Sequence, residues 1–162
     1  MYSSNQIANF FIKKSHATGI EITPMKLIKL CYVAHGWHLG LYDEELLAEA
    51  IYAWKYGPVI NSLYTEFKKY HTSPISELYI DRVTGKIPLP DDAKTPFLDK
   101  TWDIYKDFSA IQMSTLTHQK NTPWDIIWNQ LGGKNRLNVI IPNDLIRDYY
   151  KKRIEAVSHE RK

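Results

Sequence analysis

Ile7, Phe10, Phe11 and Ile12 recur at helical spacing, and the pattern stops at Gly19. Either Ser4 or Asn5 can cap this helix, since a short polar side chain accepts from the unpaired amides of a first turn. A second helix is predicted from Pro24 to about Tyr42. Thr23 suits its capping position, and proline suits the first helical residue, where a missing N–H costs nothing. Leu27, Leu30, Cys31, Ala34, His38 and Leu41 form one stripe of this helix, with Ile28, Tyr32 and Leu39 in a second stripe beside it. So little solvent face remains that it reads as the central helix. Its third face carries Lys26, Lys29, Val33, Gly36 and Gly40, and the two glycines leave a groove in which another backbone can approach.

From Glu49 to Tyr56 the chain is rich in aromatic residues and reads as a strand or extended segment, ended by Gly57 and Pro58. Pro58 is placed to start the next helix, whose apolar stripe is Ile60, Leu63, Tyr64 and Phe67, up to about Tyr70. Pro74, Pro88, Pro90 and Pro96 rule out continuous helix between His71 and Pro96, so a hairpin or extended excursion is expected. Within it, Leu78–Val83 and Thr84–Ile87 have a strand, turn, strand look.

Helical spacing returns with Phe97, Leu98, Trp102, Ile104, Tyr105 and Phe108. Ser109 and Gln112 form a capping-box pattern ahead of Met113 and Leu116. Thr122-Pro123 repeats the Thr23-Pro24 start, with Asp125 favoured near the positive end of the helix dipole, and this helix should reach Gln130. Gly132-Gly133 ends it, Val139–Ile141 is extended, and Asn143 can cap a last helix that buries Leu145, Ile146, Tyr149, Tyr150, Ile154 and Val157. The expected fold is mainly α: a single compact helical domain over residues 1–162 with a small β-hairpin or short β element.

Composition narrows the class. The chain of 162 residues is 44% hydrophobic and 13% aromatic, enough for one substantial core. Its net charge is +3, and the stretch Arg147–Lys162 is its most basic part. That stretch has no long run of like charge, and a solvated helix end accounts for it without a nucleic-acid partner. Cys31 is the single cysteine, so no intrachain disulfide can form and a reduced cytoplasm fits best. No apolar run has the length to cross a bilayer, and Met1–Gln6 lacks a basic region ahead of an apolar core.

Candidate chemistry is sparse. His35 and His38 lie three apart on the central helix and His118 sits in a downstream motif, which raises the possibility of a zinc-dependent hydrolase. Yet there is no His-Glu-x-x-His run, no paired cysteines, and no carboxylate at helical spacing from His35 or His38, so core or hydrogen-bonding histidines are the preferred reading. Cys31 falls on an apolar stripe, where burial raises its pKa and leaves it inert. Gly132-Gly133 lacks the Lys-Ser or Lys-Thr of a phosphate-binding loop. Trp54, Tyr56, Trp124 and Trp128 are core aromatics or interface anchors. Lys26, Lys29 and Lys55 are expected to lie along the surface beside buried faces. The expectation is a binding protein, not an enzyme, with no cofactor and no metal.

Several motifs, taken in order, carry a resemblance. Thr23-Pro24-Met25-Lys26-Leu27 with Lys29-Leu30 and Tyr32 is followed by Gly36-Trp37-His38-Leu39. Next comes Ala53-Trp54-Lys55-Tyr56-Gly57-Pro58-Val59 with Tyr64 and Phe67, then Phe108-Ser109, Leu116-Thr117-His118 and Pro123-Trp124. In this combination the chain resembles the Panacea antitoxin domain family, which includes SocA-like and phage-associated antitoxins, from about Ile7 to Tyr150. The resemblance implies a protein that neutralises a cognate protein toxin, encoded by an adjacent gene, by binding it directly. It also implies an alternative, a proteolysis adaptor or phage-derived host-interaction protein that delivers its bound partner to a protease. The DNA-binding segment appended in some relatives is not seen in this chain, so the resemblance gives operon autoregulation less support. Lys26, Lys29, Trp54, Tyr56 and His118 are the candidate partner-binding residues, because polar or aromatic motif members have less need to be core than Leu or Val.

Overall fold

The computed structural model describes residues 1–160; Arg161 and Lys162 of the basic tail lie outside the described residues. In chain order the elements are α1 (Ser4–Thr18), α2 (Pro24–Tyr42), β1 (Ile51–Trp54), β2 (Gly57–Val59), α3 (Asn61–Phe67), α4 (Thr95–Tyr105), α5 (Ala110–Thr117), α6 (Pro123–Asp125), β3 (Val139–Ile141) and α7 (Asn143–Glu160). The fold is mainly α with one small antiparallel sheet of order β2-β1-β3. No described helix is long and apolar enough to cross a membrane.

Helix starts obey local rules. Thr23 accepts from the Lys26 amide with Pro24 in the first turn. Ser109 and Gln112 make the full capping box, and Thr122 accepts from the Asp125 amide. The cap of α1 is Ser3, not Ser4 or Asn5, because Gln6 stands at the right spacing to return the bond to the Ser3 amide. Ser4 is instead buried, its N–H donating to the Glu49 carboxylate at 2.8 and 3.1 Å. Asn143 is a second correction. Its side chain does not cap α7 but accepts from His35 Nε2 at 2.9 Å and donates to Glu45 at 3.0 Å.

Helix α2 is central, packing against α1, α3, α4, α5, α7 and β2. Its glycine groove is filled by α7: a Cβ on Gly36 would stand 2.2 Å from Tyr150 Cε2, and one on Gly40 2.9 Å from Tyr150 Cβ. Only glycine lets Tyr150 cross here, and the ring then meets Trp37 edge to face at 4.8 Å. Ile7, Phe11, Leu27, Leu30, Tyr32, Leu98, Trp102 and Ile146 complete the core around this crossing. Leu41, Ile104 and Val157, read as apolar-stripe members, are instead about half exposed.

Two β expectations are revised. Pro58 does not begin a helix: Gly57–Val59 is a strand paired with β1 through Tyr52↔Val59 and Trp54↔Gly57, and α3 starts only after Ile60. Segment 78–87 forms no strand pair. The Asp81 carboxylate accepts from the Val83 and Thr84 amides, which turns the chain locally and holds that carboxyl below its ordinary pKa. The excursion is instead strapped to α1 by the buried Asn9 side chain. Asn9 donates to the Tyr79 and Pro88 carbonyls at 3.0 and 2.9 Å and accepts from the Tyr79 amide at 2.8 Å.

Candidate functional site

The β1–β2 hairpin has a two-residue turn, Lys55-Tyr56, and Gly57 follows it at φ +118°, a conformation side chains resist. Three side chains from three helices grip its backbone. Trp124 Nε1 of α6 donates to the Trp54 carbonyl at 2.6 Å, Ser114 Oγ of α5 to the Tyr56 carbonyl at 2.9 Å, and Lys29 Nζ of α2 to the Pro58 carbonyl at 2.7 Å. These bonds hold the alternate carbonyls of a short ribbon that could not be stable alone. The Lys55 and Tyr56 side chains are left to project, with the Lys55 ammonium 5.4 Å from the centre of the Tyr56 ring.

Beside the turn lies a cleft of about 970 Å³. Pro24, Met25, Ile28 and Lys29 of α2, Trp54 to Tyr56 and Val59 of the hairpin, and Tyr64 to Glu66 of α3 line it. Lys68, Lys69, His71 and Arg82 complete its rim. Trp54 and Tyr64 meet edge to face at 5.0 Å, and Trp54 Nε1 donates to Asn138 at 3.1 Å. Tyr56 is 62% exposed and Tyr64 43%. The mix of partly exposed aromatic rings and cations suits recognition of another molecule's side chains.

Lys29, Trp54 and Tyr56 therefore share one cleft, whereas Lys26 and His118 do not line it. Neither Lys26 nor Lys29 lies along the surface: they are 5% and 2% exposed. The Lys26 amine donates to the Lys106 carbonyl and sits 5.9 Å from the centre of a Trp102 ring, so it ties α2 to the end of α4. Burial depresses both lysine pKa values, that of Lys29 to about 7. His118 bonds the Ser114 carbonyl through Nδ1 and packs edge to face on Trp124 at 5.3 Å, supporting the hairpin clamp from behind. Sequence reasoning missed Lys68, Lys69 and Arg82. The first two follow the aromatic stripe of α3 directly, but nothing local links Arg82 to the hairpin.

The histidines of the central helix are used by the fold. The Leu47 amide donates to His35 Nδ1 at 3.2 Å, so Nε2 carries the proton donated to Asn143. Lys94 donates to His38 Nε2 at 2.8 Å, so His38 Nδ1–H donates to the Glu44 carbonyl at 2.7 Å. Both rings are held neutral, and desolvation lowers both pKa values. Cys31 is fully buried and its pKa is pushed far up by the same cause. Among the described residues no group of three His, Cys, Asp or Glu side chains is placed to hold a metal ion.

Antitoxin SocA of Caulobacter vibrioides (strain NA1000 / CB15N) is 28% identical over 158 residues, covering 94% of this chain and 84% of that protein. No solved structure matches the chain. The family model for the SocA-like antitoxin, Panacea domain, matches residues 27–125, a span from α2 through the hairpin to the Trp124 clamp. The chain belongs to the SocA-like, Panacea-domain antitoxin family.

Proposed function

We propose that this protein is a non-enzymatic antitoxin, acting as a single domain in the cytoplasm, that neutralises a cognate protein toxin encoded by an adjacent gene by binding it directly. The observation that carries the reading is the family match together with similarity to a named antitoxin along 94% of the chain. The site's chemistry is consistent with it. Lys29 supports a backbone carbonyl in the cleft, and outside it His35 and His38 bond Asn143 and the Glu44 carbonyl, so each of these groups has a structural partner.

Partner binding through the cleft also explains why the hairpin is clamped so heavily. A recognition surface must hold its side chains in place before the partner arrives, or the partner's binding energy is spent on ordering them. Three hydrogen bonds to alternate hairpin carbonyls supply that rigidity. Expression of the neighbouring reading frame, alone and with this protein, tests the proposal. The toxin alone should arrest growth, and co-expression should restore it and yield a complex on co-purification. Unrelieved arrest with no complex would remove the reading. Toxin half-life should be unchanged or longer in the complex, because a sequestering partner shields it; a shortened half-life would indicate proteolytic delivery instead.

A further inference from the structure

The charge of the cleft is not the charge of the chain. Exposed Lys55, Lys68, Lys69 and Arg82 stand on its rim, and Glu66 is the one carboxylate lining it among the described residues. Glu66 and Arg82 are 3.9 Å apart with the Arg82 side chain 86% exposed, a contact too loose and too solvated to neutralise the rim. Three of the cations lie near aromatic rings: Lys55 at 5.4 Å from Tyr56, Lys68 at 6.0 Å from Tyr64 and Lys69 at 5.6 Å from Tyr70. Between the cations, Met25, Tyr56 and Tyr64 expose 38%, 62% and 43% of their surface.

We propose that this cleft binds an acidic segment of a partner protein, with one aromatic or long aliphatic side chain of that segment seated against Trp54 and Tyr64 and its carboxylates facing Lys55, Lys68, Lys69 and Arg82. The inference rests on the antitoxin reading for the statement that the segment belongs to the toxin. A cavity of about 970 Å³ is at the upper end of the range for small-molecule pockets and has room for several peptide side chains. Its cations are the source of specificity and association rate, and the aromatic wall supplies the anchor. Single-stranded nucleic acid also favours cations with aromatic platforms, but it needs a continuous basic track for its phosphates. Here Glu66 lines the cleft along with the cations, and a net charge of +3 over 162 residues provides little field beyond it. An acidic peptide needs no continuous track, only separate cations beside an apolar wall, which is what Lys55, Lys68, Lys69 and Arg82 offer next to Trp54 and Tyr64.

The test is selection from a displayed library of random twelve-residue peptides on the intact protein, followed by anisotropy titration of the enriched peptides. Enriched peptides should be net negative and carry an aromatic or long aliphatic residue. The Lys55→Glu/Lys69→Glu variant should bind them at least tenfold more weakly at about 0.1 M salt, with the difference shrinking at about 0.5 M. Lys151→Glu/Lys152→Glu, on exposed positions of α7, should bind as the wild type does. Both variants alter exposed side chains, and their thermal unfolding reports that the fold is retained. Peptides without acidic bias, or peptides that bind the Lys55→Glu/Lys69→Glu variant equally well, would overturn the proposal. So would tighter, cleft-dependent binding of a twelve-nucleotide oligouridylate. A toxin captured equally by wild type and the Lys55→Glu/Lys69→Glu variant overturns the cleft assignment and leaves the antitoxin reading standing. Cleft-dependent binding of acidic peptides without toxin capture supports the cleft and counts against that reading alone.

Discussion

Replacing Lys29 by methionine separates what the buried amine does for the hairpin from what its burial does to stability. The amine is 2% exposed, donates to the Pro58 carbonyl at 2.7 Å, and has its pKa lowered to about 7 by desolvation. In the unfolded chain a lysine titrates near 10.4. Between those two values the unfolded state binds the extra proton, so native stability rises with pH across this window and is flat below it on account of this group. The limiting slope is about 1.4 kcal/mol per pH unit, which amounts to roughly 2–3 kcal/mol from pH 7.5 to 9.5. Lys29→Met removes the proton and the slope. It also leaves the Pro58 carbonyl without its donor, at about 1–3 kcal/mol. Urea unfolding of both proteins across pH 6 to 10 is the assay. The wild type should gain about 2–3 kcal/mol on the variant between pH 7.5 and 9.5. Parallel stability curves would refute the claim that this amine is buried and desolvated in the native state.

Gly36→Ala should destabilise the protein by about 2 kcal/mol, since overpacking against Tyr150 exceeds the roughly 1 kcal/mol that alanine gains in helix propensity. Calorimetry should then show a melting temperature lower by about 5 °C, and an unchanged value would mean that α7 does not cross α2 at this glycine. Trp124→Phe keeps the ring but loses the bond to the Trp54 carbonyl, so stability should fall by about 1 kcal/mol. Amide exchange at residues 54–57 should quicken at the same time, whereas unchanged exchange would show that the clamp does not hold the hairpin. Because the folded-state pKa values of His35 and His38 are lowered, the unfolded chain takes up protons first on acidification. Stability should decline as pH falls below about 6.5, and His38→Gln should shallow that decline in denaturant titrations.

Legibility in the sequence followed the range of the interactions. The starts of α2, α5 and α6 depend on a capping residue and on a proline or a Gln within three positions, and each was readable. The Gly36 and Gly40 groove was also visible as spacing, although the occupant, Tyr150, lies more than a hundred residues away. The second strand of the hairpin was not readable. Gly57-Pro58 looks the same whether it opens a helix or a strand, and only pairing with Tyr52 and Trp54 distinguishes them. The reverse error at residues 78–87 arose because Asp81 satisfies the local amides and Asn9 takes the Tyr79 backbone, so no strand partner is needed.

The candidate site divides in the same way. Lys29, Trp54 and Tyr56 come from motifs with aromatic or cationic character, and the fold gathers them at one cleft. Lys26 was chosen because a lysine ordinarily seeks water, but the Lys106 carbonyl and the Trp102 ring draw its amine inward. His118 faces Trp124 and serves the clamp. Lys68, Lys69 and Arg82 join the cleft through tertiary approach, which no local pattern encodes.

Amide hydrogen exchange of the protein, free and in complex with the product of the adjacent gene, is the most direct test of partner binding through the cleft. Protection should appear at residues 54–57 and 64–69, on the hairpin turn and the end of α3, with exposed positions of α7 unchanged. Protection confined to α7 or to α4, with residues 54–57 exchanging as in the free protein, would contradict it.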